Sequence, residues 1–281
     1  MISTITVNYK SVDYLERMLK SLFLFHSQEE IEVIVVENAS GDDLTLLKTQ
    51  FPQVLFLFSE KNLGFAGGCN LALRQAGGEY LVLLNPDILF VSPALYQIRD
   101  AMNDLPDVGI GGVSLKNLDG SLQKCVWRFP TPLDQFVLLL KLPHVFPHIG
   151  PIVKWRMDDF DYTQNTDVDQ VMGAFFCIRK SVTEQIGFMD DGFFLWYEEV
   201  DYCRRTKNAG WRIRYFADIS VLHKKAGSFD RVGTLEKQNV LRQSVRRYLR
   251  KHFGVTVWIG FCILEPLFSL LSRLAAWRKP M

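Results

Sequence analysis

Residues 2–58 read ISTITVNYKSVDYLERMLKSLFLFHSQEEIEVIVVENASGDDLTLLKTQFPQVLFLF, and the alternation within this stretch decides the fold. Ile2 to Val7 is dominated by β-branched residues, which favour a strand. Asn8-Tyr9-Lys10-Ser11 follows as a turn, and Tyr14, Leu15, Met18, Leu19 and Leu22 then recur at helical spacing. Ile31 to Val36 is a second short apolar strand, ended by the polar run Glu37-Asn38-Ala39-Ser40-Gly41-Asp42. Leu44 to Phe51 has a helical pattern, and Val54 to Phe58 is a third strand. Strand, helix, strand, helix, strand implies a parallel sheet with right-handed crossovers. Such sheets bind ligands at the carboxyl ends of their strands, where Asn8-Tyr9 and Glu37-Asn38 fall.

Beyond this core, Asn62-Leu63-Gly64-Phe65-Ala66-Gly67-Gly68-Cys69-Asn70 reads as a glycine-rich turn before a helix from Leu71 to Gln75. Backbone N–H groups at such a helix start can hold an anion. The spacing is not G-x-G-x-x-G and the run follows the third strand, which argues against a nicotinamide-binding Rossmann domain. Glu79 to Leu84 is a fourth strand running into Asn85-Pro86-Asp87. An aspartate fixed at a strand end by a proline turn suits Mg²⁺ or Mn²⁺ bridging a pyrophosphate. Val108 to Val113 is a further strand, and the pattern weakens from Leu118 to Asp167, which reads as an insertion near the active face. His144 and His148 are separated by Pro147, which breaks a helix between them, so they are read as surface residues. From Val171 to Arg205 an apolar run leads to the aromatic cluster Phe193, Phe194, Trp196 and Tyr197, directly followed by Glu198, Glu199 and Asp201. Carboxylates behind an aromatic wall are where burial and like charge raise acidity constants toward neutral pH, as a general base requires. Acidic residues also favour the first turn of a helix for electrostatic reasons alone. Trp211 to Leu222 reads as a strand pair or a strand and turn ending in His223, which, like Asp87, follows a strand end.

With 281 residues and 48% hydrophobic content the chain is long enough for one large α/β domain or a domain with an appendage. A formal net charge of +1 argues against a nucleic-acid binder. Five cysteines, an odd number with no C-x-x-C pair, indicate reduced thiols and neither a disulfide framework nor a zinc site. No basic segment followed by an apolar one opens the sequence, so a cytoplasmic location is expected. The last part changes character. Lys237, Arg242, Arg246, Arg247, Arg250 and Lys251 form a basic helical segment, and Val255 to Ser272 is nearly all apolar, broken by Glu265-Pro266. Arg273, Arg278 and Lys279 close it. A charge and a proline inside so short a run argue for an interfacial or re-entrant helix held by its basic flanks to anionic lipid, at the inner face of the cell membrane, over one that spans it; an amphipathic helix packed on its own domain or on a second subunit is the alternative.

Taken in order, Val7-Asn8-Tyr9, Val36-Glu37-Asn38-Ala39-Ser40, Asn62 to Ala66 with Asn70, Leu84 to Asp87, Gly173-Ala174 with Arg179, Phe193 to Asp201 with Arg204, and His223 with Gly227-Ser228 resemble the inverting family 2 glycosyltransferases of the GT-A fold, near their rhamnosyltransferase-like branch. The resemblance runs from about Ile2 to Leu249. It implies a GT-A domain over residues 1–235, with a nucleotide-sugar half (1–115) and an acceptor and catalytic half (116–235), and a helical tail over 236–281. It implies that Asn8, Glu37 and Asn38 bind base and ribose, that Asn62, Gly64 and Asn70 shape the pyrophosphate side, and that Tyr9, Ser40, Phe65, Asn85, Trp196 and Arg204 complete the substrate site. Asp87, at the D-x-D position, and His223 become the metal ligands for Mg²⁺ or Mn²⁺. Glu199 takes the place of the catalytic carboxylate, with Glu198 and Asp201 beside it. Asn85 stands where the first acid of D-x-D would be and offers only a neutral oxygen. Glu37 and Glu199 stand where aspartate is commoner. The implied activity is transfer of a sugar, rhamnose from dTDP-rhamnose first, from a nucleotide-sugar donor to a glycan or lipid-linked acceptor in cell-envelope synthesis. A catalytically inactive nucleotide-sugar or glycan binding module of the same fold is the alternative.

Overall fold

The computed structural model describes residues 1–224 and 234–277; Gly227, Ser228, Arg278 and Lys279 lie outside them. The first half is β1 (Ile2–Asn8), α1 (Val12–Phe25), β2 (Ile31–Glu37), α2 (Thr45–Gln50), β3 (Leu55–Phe58), α3 (Gly64–Leu73), β4 (Tyr80–Leu84), β5 (Ile88–Leu89), α4 (Ala94–Asn103) and β6 (Val108–Lys116). Then come β7 (Val126–Trp127), α5 (Pro132–Leu139), a 3-10 turn (Leu142–His144), α6 (Gly150–Arg156), β8 (Thr166–Asp167), β9 (Gln170–Val171), β10 (Phe175–Arg179), α7 (Lys180–Ile186), α8 (Glu198–Asn208) and β11 (Arg212–His223). Three helices close the chain: α9 (Thr234–Phe253), α10 (Val255–Ile263) and α11 (Glu265–Trp277).

Among the described residues the main sheet has nine strands, in the order β3-β2-β1-β4-β10-β6-β11-β5 with β8 on the outside of β11. β3, β2, β1 and β4 are parallel, as the strand and helix alternation requires, and β11 is parallel to β6. β10 enters antiparallel between β4 and β6. Every residue of β1 and β4 is buried, so both read as continuous runs because helices cover both sheet faces. On α1, Leu15, Met18, Leu19 and Leu22 form the buried stripe.

Several boundaries differ from the sequence reading. The glycine-rich run is the first two turns of α3, not a turn before a helix at Leu71. A Cβ at Gly68 would stand 2.9 Å from Cγ1 of Val7, so the missing side chain seats the helix directly on β1. Trp211 to Leu222, read as a strand pair or a strand and turn, is neither: Arg212 onward is the single twelve-residue strand β11, whose pairing with β6 shifts register between Phe216 and Ser220. That irregularity lets one strand bend along β6 without a turn. The division expected between residues 235 and 236 falls inside α9. That helix packs on the start of α8 and the segment before it through a second core of Phe193, Tyr197, Val200, Val245, Tyr248 and Leu249. Trp258 lies over Arg250, and Glu265 pairs with Arg242 and Arg246, so α10 and α11 run back along α9. The two ion pairs neutralise the acid that interrupts the apolar run. Among the described residues no single helix is long and apolar enough to cross a membrane, and α10 and α11 are bent by 52° at their junction.

Candidate active site

The carboxyl ends of β1, β2 and β4 open onto a cleft of about 520 Å³. Tyr9, Asn38, Asn62, Gly64, Phe65 and Asn85 contribute to one part of its wall, and Trp127, Gly173, Phe194, Trp196, Glu198 and Glu199 to another. Asn38 ties the end of β2 to the start of α3. Its amide donates to Asn62 Oδ1 and Gly64 O, both at 3.1 Å, and its Oδ1 accepts from Leu63 N. Gly64 has φ +72°, and a Cβ there would lie 2.2 Å from the carbonyl oxygen of Phe194. The N–H of Phe65 donates to that same oxygen at 2.9 Å, so α3 begins where the segment before α8 ends.

That segment carries strain. Trp196 and Tyr197 have φ +64° and +71°, two successive left-handed residues without glycine. Each such residue costs on the order of 1–3 kcal/mol and persists only where its surroundings over-determine it. Here Tyr197 is buried and donates its hydroxyl to Gln135 Oε1, while Ser244 Oγ of α9 donates to Leu195 O at 2.7 Å. The turn aims the first residues of α8 at the cleft. Glu198 is buried, and Glu199 is half-buried with Gly173 against its side chain. One oxygen of each carboxyl is buried with no hydrogen-bond partner among the described residues. Burial pushes the Glu198 carboxyl well above the usual range and the charge of Glu199 adds to it; burial also raises Glu199. Both rise although they open a helix, whose N-terminal dipole favours the anion, so desolvation is the larger effect.

Asp87 and His223 come together beside the cleft, His223 Nε2 standing 3.3 Å from Asp87 Oδ1 and 3.5 Å from the Asn85 amide. Both are nearly buried. Gln123, which the sequence did not single out, holds the other ring nitrogen at 2.9 Å and donates to His223 O at 2.6 Å. With Nδ1 as the donor to Gln123, Nε2 presents a lone pair toward Asp87. One carboxylate and one imidazole nitrogen fit a hard divalent cation that takes its remaining ligands from phosphate and water, while Asn85 turns its amide nitrogen toward the imidazole. They do not form a complete protein cage; no group of three or more His, Cys, Asp or Glu suited to a metal occurs among the described residues.

Other expected site residues lie behind the wall. Asn8 donates to Glu37 Oε2 and Asp42 Oδ2, and Glu37 Oε1 accepts from both the N–H and the hydroxyl of Ser40. This closed network fixes the β1 and β2 ends from below. Asn70 clamps Met189, donating to its O at 2.8 Å and accepting from its N–H at 3.1 Å, and does not reach the cleft. Arg179 is likewise spent on Val108 O, Met102 O and the Tyr80 hydroxyl. Arg204 donates to the Tyr248 hydroxyl and lies over Phe129 and Phe253, so it packs α8 against α9.

Asp201 is the clearest correction. It does not line the cleft with Glu198 and Glu199: two residues on from Glu199, it points to the opposite side of α8. It is fully buried between Arg205, Lys251 and His252, at 2.9, 2.9 and 2.7 Å. Burial alone would raise its carboxyl, but hydrogen bonds from His252, Lys251 and Arg205 hold it below the usual range. The sequence also gave no reason to place Glu236, Lys237 and Val240 of α9 in the cleft wall. Their distance along the chain hides the contact, and Lys237 reads only as one of several basic residues. The five cysteines are free, as expected, and four are buried.

An open sheet with a carboxylate-headed helix across its strand ends defines a GT-A type glycosyltransferase. The family model for Glycosyl transferase family 2 matches residues 3–155, more than half of the chain, and the chain belongs to that family. It is 26% identical to an N-acetylglucosaminyl-diphospho-decaprenol L-rhamnosyltransferase of Mycobacterium tuberculosis, over 82% of this chain and 78% of that one. Identity to the rhamnosyltransferase WbbL of Escherichia coli is also 26%, over 79% of this chain and 83% of the relative. Among solved structures, a mannosyltransferase from Pyrobaculum calidifontis superposes with a TM-score of 0.57 at 18% identity, over 98% of this chain and 73% of that one, which supports the fold.

Proposed function

We propose that the chain transfers a sugar, with inversion at the anomeric carbon, from a nucleotide-sugar donor to a hydroxyl of an acceptor in cell-envelope glycan synthesis. The donor is dTDP-rhamnose and the acceptor a sugar carried on a polyprenyl diphosphate; the mycobacterial relative's name gives L-rhamnosyl transfer and an N-acetylglucosaminyl-diphospho-decaprenol acceptor. The observation that carries the reading is Glu199, a desolvated carboxylate in the cleft wall beside the aromatic residues Phe194 and Trp196. Its carboxylate takes the proton of the acceptor hydroxyl while that oxygen forms the new bond to the anomeric carbon. The bond from that carbon to the nucleoside diphosphate breaks in the same step. Asn38 and Asn62 hold the donor from the strand ends, with Tyr9 and Phe65 beside them. Asp87 and His223 would hold Mg²⁺ or Mn²⁺, Gln123 keeping His223 oriented and Asn85 standing beside them. The mannosyltransferase relative was solved with GDP-Man and Mn²⁺, in keeping with this. Bound there, a divalent cation supplies Lewis-acid stabilisation of the leaving diphosphate. The apolar tail rests on the membrane surface that holds the acceptor.

The test is Glu199→Gln, which keeps shape and removes the base. With a panel of nucleotide sugars and either cation, release of nucleoside diphosphate is expected to fall about 10²- to 10⁴-fold. Turnover within about threefold of wild type, under about 1 kcal/mol of barrier, removes Glu199 from the role.

A further inference from the structure

Resting on that reading, we infer that Lys237 forms a subsite for the phosphate that joins the acceptor sugar to its apolar carrier. Three observations meet at this place. First, the cleft wall is completed by one face of α9, Glu236, Lys237 and Val240, and Lys237 is the wall's cationic residue among the described residues. The strand-end part of the wall offers amides and aromatic rings but no lysine or arginine. Second, the wall around Glu199 holds two indoles, Trp127 and Trp196, flat apolar surfaces with a donor N–H that suit a pyranose ring. Third, the tail returns toward Lys237. Trp258 stacks on Arg250, Glu265 reaches Arg246 and Arg242, and Ser272 accepts from Arg242 at 3.1 Å. Lys237 lies five residues before Arg242, about 7.5 Å along the helix. Along α10 and α11, Ile263, Leu267, Leu270 and Leu274 recur at helical spacing with their side chains exposed.

The cleft wall therefore offers a carboxylate, indoles and a cation, and the helix that carries the cation also seats a tail with exposed apolar residues. A lipid-linked acceptor carries a sugar hydroxyl, a pyranose, a phosphate and a polyprenyl chain, one for each of these. A free sugar or a growing polysaccharide end would use only the first two. Lysine is a point-charge phosphate binder and needs no bidentate geometry.

The experiment compares two acceptors with dTDP-rhamnose as donor: farnesyl-diphospho-N-acetylglucosamine, and octyl N-acetylglucosaminide, which lacks phosphate. Lys237→Ala is expected to raise KM for the diphosphate acceptor about tenfold or more, the effect of losing one charged hydrogen bond. Its kcat, the donor KM and the KM for the octyl glycoside should stay within about twofold, and Lys237→Arg should recover most of the loss. A rise in donor KM, or weaker dTDP binding with the acceptor KM unchanged, overturns the inference and moves Lys237 to the donor. Equal effects on both acceptors also overturn it, as does wild-type protein that uses neither acceptor while still hydrolysing the donor. Failure of the underlying reading looks different: no donor is turned over, and Glu199→Gln changes nothing.

Discussion

Glu198 and Glu199 are adjacent in sequence and unlike in surroundings. Both line the cleft, but Glu198 is the more deeply buried, near enough to Cys69 that burial and the Glu198 charge together raise that thiol. Glu199 keeps contact with the cleft. Native protein therefore holds a proton on Glu198 at pH values where the unfolded chain has lost it, so this residue's contribution to stability falls as pH rises above the ordinary glutamate value of 4.5. Glu198→Gln should then raise the unfolding midpoint at pH 7–8, by about 2–4 °C per kcal/mol recovered, and change little near pH 4. Melting curves across that range check it; a midpoint lowered equally at every pH would mean that the glutamine has lost a contact the acid makes. Catalysis carries the opposite requirement, since Glu199 must be ionised to accept a proton. The acid limb of kcat/KM is expected above 4.5, because burial raises Glu199. A limb at or below the ordinary value would show that the working carboxylate is solvated.

At the scale of elements, α8 and α9 are fastened by charge. Asp201 joins Arg205, Lys251 and His252, while Asp190, brought down to about 2 by Arg247 and Lys251 against the opposing effect of burial, holds the same stretch of α9 from the loop before α8. Removing one member of a buried ionic group leaves the others unpaired and typically costs about 3–5 kcal/mol. Asp201→Asn should lower stability by about that amount and speed amide exchange in α9 before β1 to β4, since α9 lines the cleft and the sheet core does not depend on it. Unchanged exchange in α9 would reduce Asp201 to a local helix contact. This clasp also marks where the sequence stops being readable. β1 to β4 were legible because strand period, helix spacing and polar strand ends are local signals. The start of α3 was not, because its glycines are explained by Val7 and by the Phe194 carbonyl, which meet them only in the fold. Glu199 could be picked out from its aromatic neighbours, but the separation of Asp201 from it depends on residues fifty positions away. Gln123 sits in a stretch with no pattern at all, and only its contact with His223 gives it a role.

For the whole molecule, the question is what covers the far side of the tail. Val255, Ile259, Ile263, Leu267, Leu270 and Leu274 are all exposed, Ile263 at 72%, while the opposite face is packed on α5 and α9 through Phe261 and Phe268. Arg250 and Arg273 flank this surface, and Arg278 and Lys279 extend the basic run in the sequence. An apolar face with basic flanks is the pattern of a helix held in the plane of an anionic interface, and the pairing of Glu265 with Arg242 and Arg246 removes the one acidic charge that would oppose it. Under the proposed function this places the cleft beside the layer that holds a lipid-linked acceptor. Purified protein should float with vesicles containing phosphatidylglycerol and much less with phosphatidylcholine alone, because each basic residue near an anionic surface is worth about 1 kcal/mol. Raising the salt should weaken the anionic component, which decays over a Debye length of about 10 Å at 0.1 M. Ile259→Glu combined with Ile263→Glu alters only exposed positions, so the melting temperature should hold while flotation is lost and turnover of a short, soluble acceptor is kept. If the double variant floats like wild type, or wild type does not float with either vesicle, this apolar face belongs to a protein partner or a second copy of the chain, and sedimentation of the wild type against the variant will then separate those two occupants.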